Sequence, residues 1–301
     1  MAQQTVNLNF VQCTWVNHEY PDTAYDTPEP EYPHYYNLNA SSAGKETVLL
    51  IQFEELPSSL KRKKLLYANM VLQTIYAARA VPLMGTFTRN VTTWNTKPET
   101  YPNALWKQLY IAGNSGSTWH NVEYQGYSSF DEDKLSQFAS LVMQYNALQV
   151  ENNVSSSCAV RDVLIDGTSL PYLIVAYDDA VSITSQIVYK SGPKSGYSNP
   201  RNATTFSWDY EKNDSSIYSA DESFEQSSAT FYWKENEAAN YSAVSVSGSN
   251  KSVTISANTF PSGKTIQWYV SGSSVRAAAF LLGRKPQKFR HCYRQGSADL
   301  Q

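Results

Sequence analysis

The hydrophobic positions along this chain recur mostly with the period of a β-strand. Val6, Leu8 and Phe10 alternate with Asn7 and Asn9, the two-residue repeat of a half-buried strand. Thr47-Val-Leu-Leu-Ile-Gln-Phe53 is instead a short unbroken apolar run of strand length, and Leu65 to Thr74 makes a second long strand. Val160 to Tyr177 holds two more around a turn at Gly167, the second being Tyr172-Leu-Ile-Val-Ala-Tyr177. Only residues 131–147 predict a helix. There Leu135, Phe138, Ala139, Val142 and Tyr145 recur at three- and four-residue spacing, with Asp131 and Asp133 at the end where a helix dipole favours acids. Four prolines between Tyr20 and Pro33 fix an extended or turning loop and exclude helix there.

From about residue 180 the texture changes. Ser191-Gly-Pro-Lys-Ser-Gly-Tyr-Ser-Asn-Pro200 reads as a linker or an edge segment. Short alternating strands follow at Ala203–Asp209, Ser228–Lys234, Tyr241–Ser247, Lys251–Ala257 and Lys264–Ser271. One parity of these strands carries Phe206 and Trp208, Phe231 and Trp233, Val244 and Val246, Val253 and Ile255, then Ile266, Trp268 and Val270. Regular short strands with large rings on one parity predict a small β-sandwich. The expected fold is therefore mainly β: a larger sandwich with one helix over residues 1–179, then a smaller immunoglobulin- or fibronectin-like sandwich over 180–275. Residues 276–301 carry six basic residues and one acid without clean alternation, which predicts a basic tail that is irregular, disordered or truncated.

Composition narrows the class. The chain has 301 residues, 42% of them hydrophobic, enough for two packed cores. Charged residues make up only 17% while tyrosines number 22, a balance suited to solvent-facing strands. A net charge of −3 gives no general attraction to nucleic acid, so no nucleic-acid partner is expected. No apolar stretch approaches membrane-spanning length, so no membrane insertion is expected. The first residues lack the basic start and apolar run of a secretory signal. Cys13, Cys158 and Cys292 lie far apart and suggest neither a metal pair nor a disulfide framework.

Catalytic motifs are missing: there is no Gly-x-Ser-x-Gly elbow, phosphate-binding glycine loop or helically spaced histidine pair. The expectation is a protein that is not an enzyme. Two other chemistries are candidates. Asp22 with Asp26, and Asp131 with Asp133, sit in oxygen-rich loops of the kind that bind Ca²⁺, although solvated acidic loops look the same. Tyr25, Tyr32 and Tyr35 crowd the proline-rich loop, and Trp106, Trp119 and Tyr124 crowd a later Gly/Ser/Asn-rich stretch. Such rings either stack on a ligand or pin long loops onto the sandwich.

Four blocks carry a family resemblance. They are Glu46-Thr-Val-Leu-Leu-Ile-Gln-Phe-Glu-Glu-Leu-Pro57, Ala68-Asn-Met-Val-Leu-Gln73, Arg89-Asn-Val-Thr-Thr-Trp-Asn-Thr-Lys-Pro98 and Ser169-Leu-Pro-Tyr-Leu-Ile-Val-Ala-Tyr177. Through them residues 5–178 resemble the DNRLRE domain, a jelly-roll module similar to carbohydrate-binding modules and found in bacterial surface and phage-related proteins. The 101–130 stretch and the helix depart from that pattern. The second half resembles a fibronectin type III domain more loosely, through Phe206-Ser-Trp208 and Ile266-Gln-Trp-Tyr-Val270. The resemblance implies a jelly roll that could hold a structural calcium, and a non-catalytic role in glycan or surface recognition outside the cell. A bacteriophage or prophage tail-associated structural protein is the alternative, and a glycoside-active enzyme the third. The resemblance places the protein at a cell surface or in a virion; without it, a cytoplasmic location is expected.

Overall fold

The computed structural model describes residues 3–25, 35–39, 44–75, 78–101, 110–111, 120–123, 132–152, 158–161, 170–193, 197–199, 201–221, 225–274, 277–280 and 287–291. The protein is mainly β, with a single helix among the described residues. Two compact units divide the chain: residues 1–183 with 216–222, and residues 184–215 with 223–301.

The first unit contains β1 (Gln3–Asn17), β2 (Tyr35–Leu38), β3 (Thr47–Phe53), β4 (Lys63–Ile75), β5 (Ala78–Pro82), β6 (Tyr110–Ile111), β7 (His120–Glu123), α1 (Glu132–Tyr145), β8 (Ala147–Asn152), β9 (Cys158–Arg161) and β10 (Tyr172–Ser182). β1 belongs to two layers. Its first half pairs with β10 and its second half with β3, and between them Val11 is an extra, exposed residue that bends the strand. The layers are β2-β9-β4-β10-β1, with β7 beside β4, and β1-β3-β8-β5-β6. All the pairings are antiparallel, and successive elements β2 to β5 alternate between the layers, as in a jelly-roll sandwich. Leu8, Leu65, Met70 and Val175 from one layer meet Trp15, Ile51, Phe53 and Val150 from the other in one core, joined by Phe138 and Val142 of α1. The helix ends at Asn146, whose φ of 54° is left-handed and which donates its N–H to Val142 O at 2.8 Å.

β3 explains its own unbroken apolar run. Its Leu49, Ile51 and Phe53 face the core, while Val48 and Leu50 pack with Val16, Leu83, Phe87 and Ala147 in a second cluster on the opposite face. A strand covered on both sides has no polar face to show.

The second unit contains β11 (Ser185–Ser191), β12 (Tyr197–Ser198), β13 (Thr204–Lys212), β14 (Gln226–Glu235), β15 (Ser242–Ser247), β16 (Ser252–Ile255), β17 (Lys264–Ser274), β18 (Ala277–Phe280) and β19 (Gln287–His291). One sheet is β11-β13-β16; the other is β12-β19-β17-β14-β15, with β18 also paired to β17. Leaving aside the short β12 and β18, the first, second and fifth strands oppose the fourth, third, sixth and seventh. That is the strand distribution of a fibronectin type III sandwich. Phe206 lies 4.6 Å from Phe231 and 4.8 Å from Trp268 between ring centroids, at the centre of the shared core. The indole N–H of Trp208 is satisfied by Gln226 Oε1 at 2.7 Å, and that of Trp268 by Pro193 O at 2.9 Å. Gly272 allows a close approach: a Cβ there would stand 3.1 Å from Ile187 Cδ1.

Two expectations from the sequence change. The second sandwich does not run unbroken from 180 to 275, because residues 216–222 belong to the first unit. Leu65 N–H donates to Tyr218 O at 2.8 Å, and Asp221 N–H to Lys61 O at 2.9 Å. Arg62 Nε meets Asp221 Oδ2 at 3.1 Å, with the carboxylate side chain only 4% exposed. The basic tail is not wholly irregular either: β18 and β19 join the larger sheet, β19 antiparallel to β17 and parallel to β12. Backbone pairing to β17 holds both segments, and such pairing does not require strict apolar alternation.

Candidate functional site

Strand parity builds the most developed surface in the second unit. In β14, Ala229, Phe231 and Trp233 take the inner face, so Thr230, Tyr232 and Lys234 take the outer one; in β17, Ile266, Trp268 and Val270 are inner, so Gln267 and Tyr269 are outer. Register then places Tyr232 opposite Tyr269 on one side and Ala243 of β15 on the other. The two phenol rings stack at 4.7 Å with planes 13° apart. Tyr241, just before β15, sets its ring edge against Tyr269 at 5.0 Å and donates its hydroxyl to Gln267 Oε1 at 3.4 Å. Lys234 Nζ lies 4.9 Å from the Tyr241 ring centroid and donates to Ala238 O at 2.8 Å.

The three rings are each half-buried, so the patch is held in place yet open. Partial burial and the adjacent phenols of Tyr232 and Tyr241 push the Tyr269 hydroxyl above its ordinary pKa, so all its chemistry at neutral pH is that of a neutral phenol. Beside Tyr232 the outer face continues as Ala243, Ser245 and Ser247, a low floor with no charge.

A polar pocket of about 230 Å³ adjoins this patch, lined by Glu235, Asn236, Glu237, Gly263, Lys264 and Thr265. Asn236 links the two. Its N–H donates to Thr265 O at 2.8 Å, and its side-chain oxygen accepts from Gln267 Nε2. Glu235 Oε2 and Lys264 Nζ are 3.7 Å apart on exposed side chains. Flat rings, fixed amides and a pocket with both signs of charge can hold a polyhydroxylated ligand by stacking and hydrogen bonding. Nothing in the arrangement pairs a nucleophile with a base.

The residues singled out in the sequence lie elsewhere. Tyr25 packs its ring against the edge of buried Trp15 at 4.5 Å, pinning the loop after β1 to the core. Asp22 is exposed in the same loop and accepts from Asn95 Nδ2 at 2.9 Å. Tyr35 opens β2 opposite Arg161, and Asp133 is exposed in the first turn of α1. Asp26, Tyr32, Trp106, Trp119, Tyr124 and Asp131 fall outside the described residues. Among the described residues no three His, Cys, Asp or Glu side chains gather as a metal site. The tyrosine patch has a local sequence signal: in Phe231-Tyr-Trp233 and Trp268-Tyr-Val270 the middle ring faces away from the core.

Trp94, in the block with the strongest family resemblance, is half-buried against the second cluster of the first unit. His18 stacks on it at 4.6 Å, and Lys97 Nζ lies 5.2 Å from its ring centroid. His18 Nδ1 in turn meets Glu46 Oε2 at 2.6 Å, which holds the Glu46 carboxyl below the usual carboxylate range. Lys97 donates to Gln149 Oε1 at 3.1 Å, and burial lowers its pKa. These contacts make Trp94 part of the packing.

No helix among the described residues is long and apolar enough to cross a membrane. No protein-family profile and no curated protein matches the chain. Among solved structures, the chain is similar at 12% identity to a β-1,2-glucanase from Parabacteroides distasonis, over 98% of this chain and 37% of that one, with a TM-score of 0.24. The FN1–FN3 domains of chicken CNTN1 align at 10% identity over 89% of this chain and 68% of that one, TM-score 0.24. The glycoside hydrolase domain of Endo-D from Streptococcus pneumoniae aligns at 8% identity over 96% and 37%, TM-score 0.19. The chain thus spans little more than a third of the length of either glycosidase.

Proposed function

We propose that this protein is a non-catalytic glycan-binding protein, in which the outer face of the second unit's larger sheet receives the sugar. The observation that carries the reading is the contact group of Tyr232, Tyr241 and Tyr269 on an open sheet face, beside a polar pocket. The apolar C–H face of a pyranose stacks on an aromatic ring, and the ring is already ordered, so little conformational entropy is lost on binding. Asn236 and Thr265 in the pocket, with the hydroxyls of Tyr232 and Tyr269, supply donors and acceptors for sugar hydroxyls. Glu235 and Glu237 are offset by Lys264 and Lys234, so the site calls for no net charge on its ligand, and a neutral hexopyranose chain is the ligand class it fits. The DNRLRE-like character of the first unit fits the same kind of role in surface recognition.

A glycan array followed by titration calorimetry tests this. Tyr269→Ala and Tyr232→Ala should each weaken binding about tenfold, near 1.4 kcal/mol, while Trp94→Ala should leave affinity unchanged. Absence of any neutral-glycan signal at high protein concentration, or full affinity in both tyrosine variants, rejects the reading.

A further inference from the structure

Among the described residues, the second unit has one sheet edge that is both long and unguarded. Among its edge strands, β12 has two residues, β16 has four, and β11 carries Lys190, paired with Asp209. β15 ends the larger sheet with six residues, Ser-Ala-Val-Ser-Val-Ser, none of them charged and none proline. On its far side from β14, its main chain makes no backbone hydrogen bond to any described residue. Natural sheets blunt such edges with lysine, proline, bulges or shortness; this one uses none of them.

We propose that β15 pairs antiparallel with β15 of a second copy of this chain, fusing the two larger sheets into one. The choice of partner comes from the strand's own sequence. Two identical antiparallel strands keep their inner faces together only if the pairing is centred on a residue, so that partners share parity. Centring on Ser245 sets it opposite its counterpart, and the sequence is nearly palindromic about that point. Val244 then faces Val246 of the partner, twice, on the inner side where Val246 is buried and Val244 packs on the core. On the outer side Ala243 meets a serine. No like charges oppose one another across the seam, and the open donors and acceptors of both edges are paired. A two-fold axis through Ser245 runs perpendicular to the sheet and so puts both tyrosine patches on the same face, with the Ala/Ser floor between them. Where the glycan reading holds, the dimer would bind a repeating chain bivalently, but the pairing does not depend on that reading.

The seam is short, so a dissociation constant of about 10–1000 μM is expected. Sedimentation velocity of the full chain should show a monomer–dimer equilibrium that Ser245→Lys and Ser245→Glu each abolish and that mixing the two variants restores. Ser245→Cys should cross-link under mild oxidation several-fold more than Ser247→Cys, because residue 247 opposes 243 and lies about 13 Å along the strand from its own counterpart. Ser245 is exposed, so unchanged thermal unfolding shows that these variants fold. A chain that stays monomeric at its highest soluble concentration overturns the proposal. So does a dimer that survives in Ser245→Lys, or equal cross-linking at 245 and 247.

Discussion

β3 in the first unit and β14 in the second are both central strands, yet they meet different surroundings. β3 is covered on both faces, by the helix-capped core on one side and by the loop bearing Phe87 and Trp94 on the other. Among the described residues β14 is covered on one face only, and its other face carries the half-buried Thr230, Tyr232 and Lys234. In the first unit an aromatic ring outside the sandwich is absorbed by packing; in the second it is left available. The candidate site therefore falls where the architecture leaves a sheet face uncovered, not where the sequence is densest in tyrosine.

This contrast can be broken by substitution. The largest effect should come from Leu50→Ala, which empties a fully buried position on the second face of β3: about 2–5 kcal/mol lost, against roughly 0.5 kcal/mol or less for Thr230→Ala on the open face of β14. Calorimetric unfolding of the two variants checks it, and equal losses would mean that the two outer faces are not different in kind. Next, Asp221→Ala removes the buried carboxylate facing Arg62 and should cost about 3 kcal/mol, read in the transition of the first unit because residues 216–222 fold with it.

A smaller effect depends on pH. Folding lowers the pKa of Glu46, chiefly through the hydrogen bond from His18, so the ionised form favours the folded state. That stabilisation is complete above the ordinary carboxylate range and fades as pH falls through the depressed value. The melting-temperature difference between the parent chain and Glu46→Gln should be visible at neutral pH and close below about pH 4; a constant difference across that range would contradict the assignment. The smallest change should follow Tyr210→Phe. The Tyr210 hydroxyl is buried in the second unit with no hydrogen-bond partner among the described residues. Removing it should leave denaturant stability unchanged or raise it by up to about 1 kcal/mol.

Much of the secondary structure was legible along the chain. Helix spacing located α1 to within two residues at either end, and the alternation of Phe206/Trp208, Phe231/Trp233 and Ile266/Trp268 located the strands of the smaller sandwich and their inner face. The site was legible only in part. Tyr232 and Tyr269 could be read as outward-facing from the rings on either side of them, but their 4.7 Å stack depends on the β14–β17 register. The polar pocket depends on a backbone bond from Asn236 to Thr265, residues far apart in sequence. Nothing local marks residues 216–222 as leaving one sandwich for the other.

What the amino-acid order determines by itself is periodicity: which side chains share a face, where a helix can start, and where prolines and glycines forbid regular structure. These follow from backbone geometry within a few residues. What the tertiary structure decides is coverage and company. Whether an outward ring meets solvent, as Tyr269 does, or a histidine, as Trp94 does, depends on which distant segments return to that face, and those contacts are fixed only when the whole core is buried together.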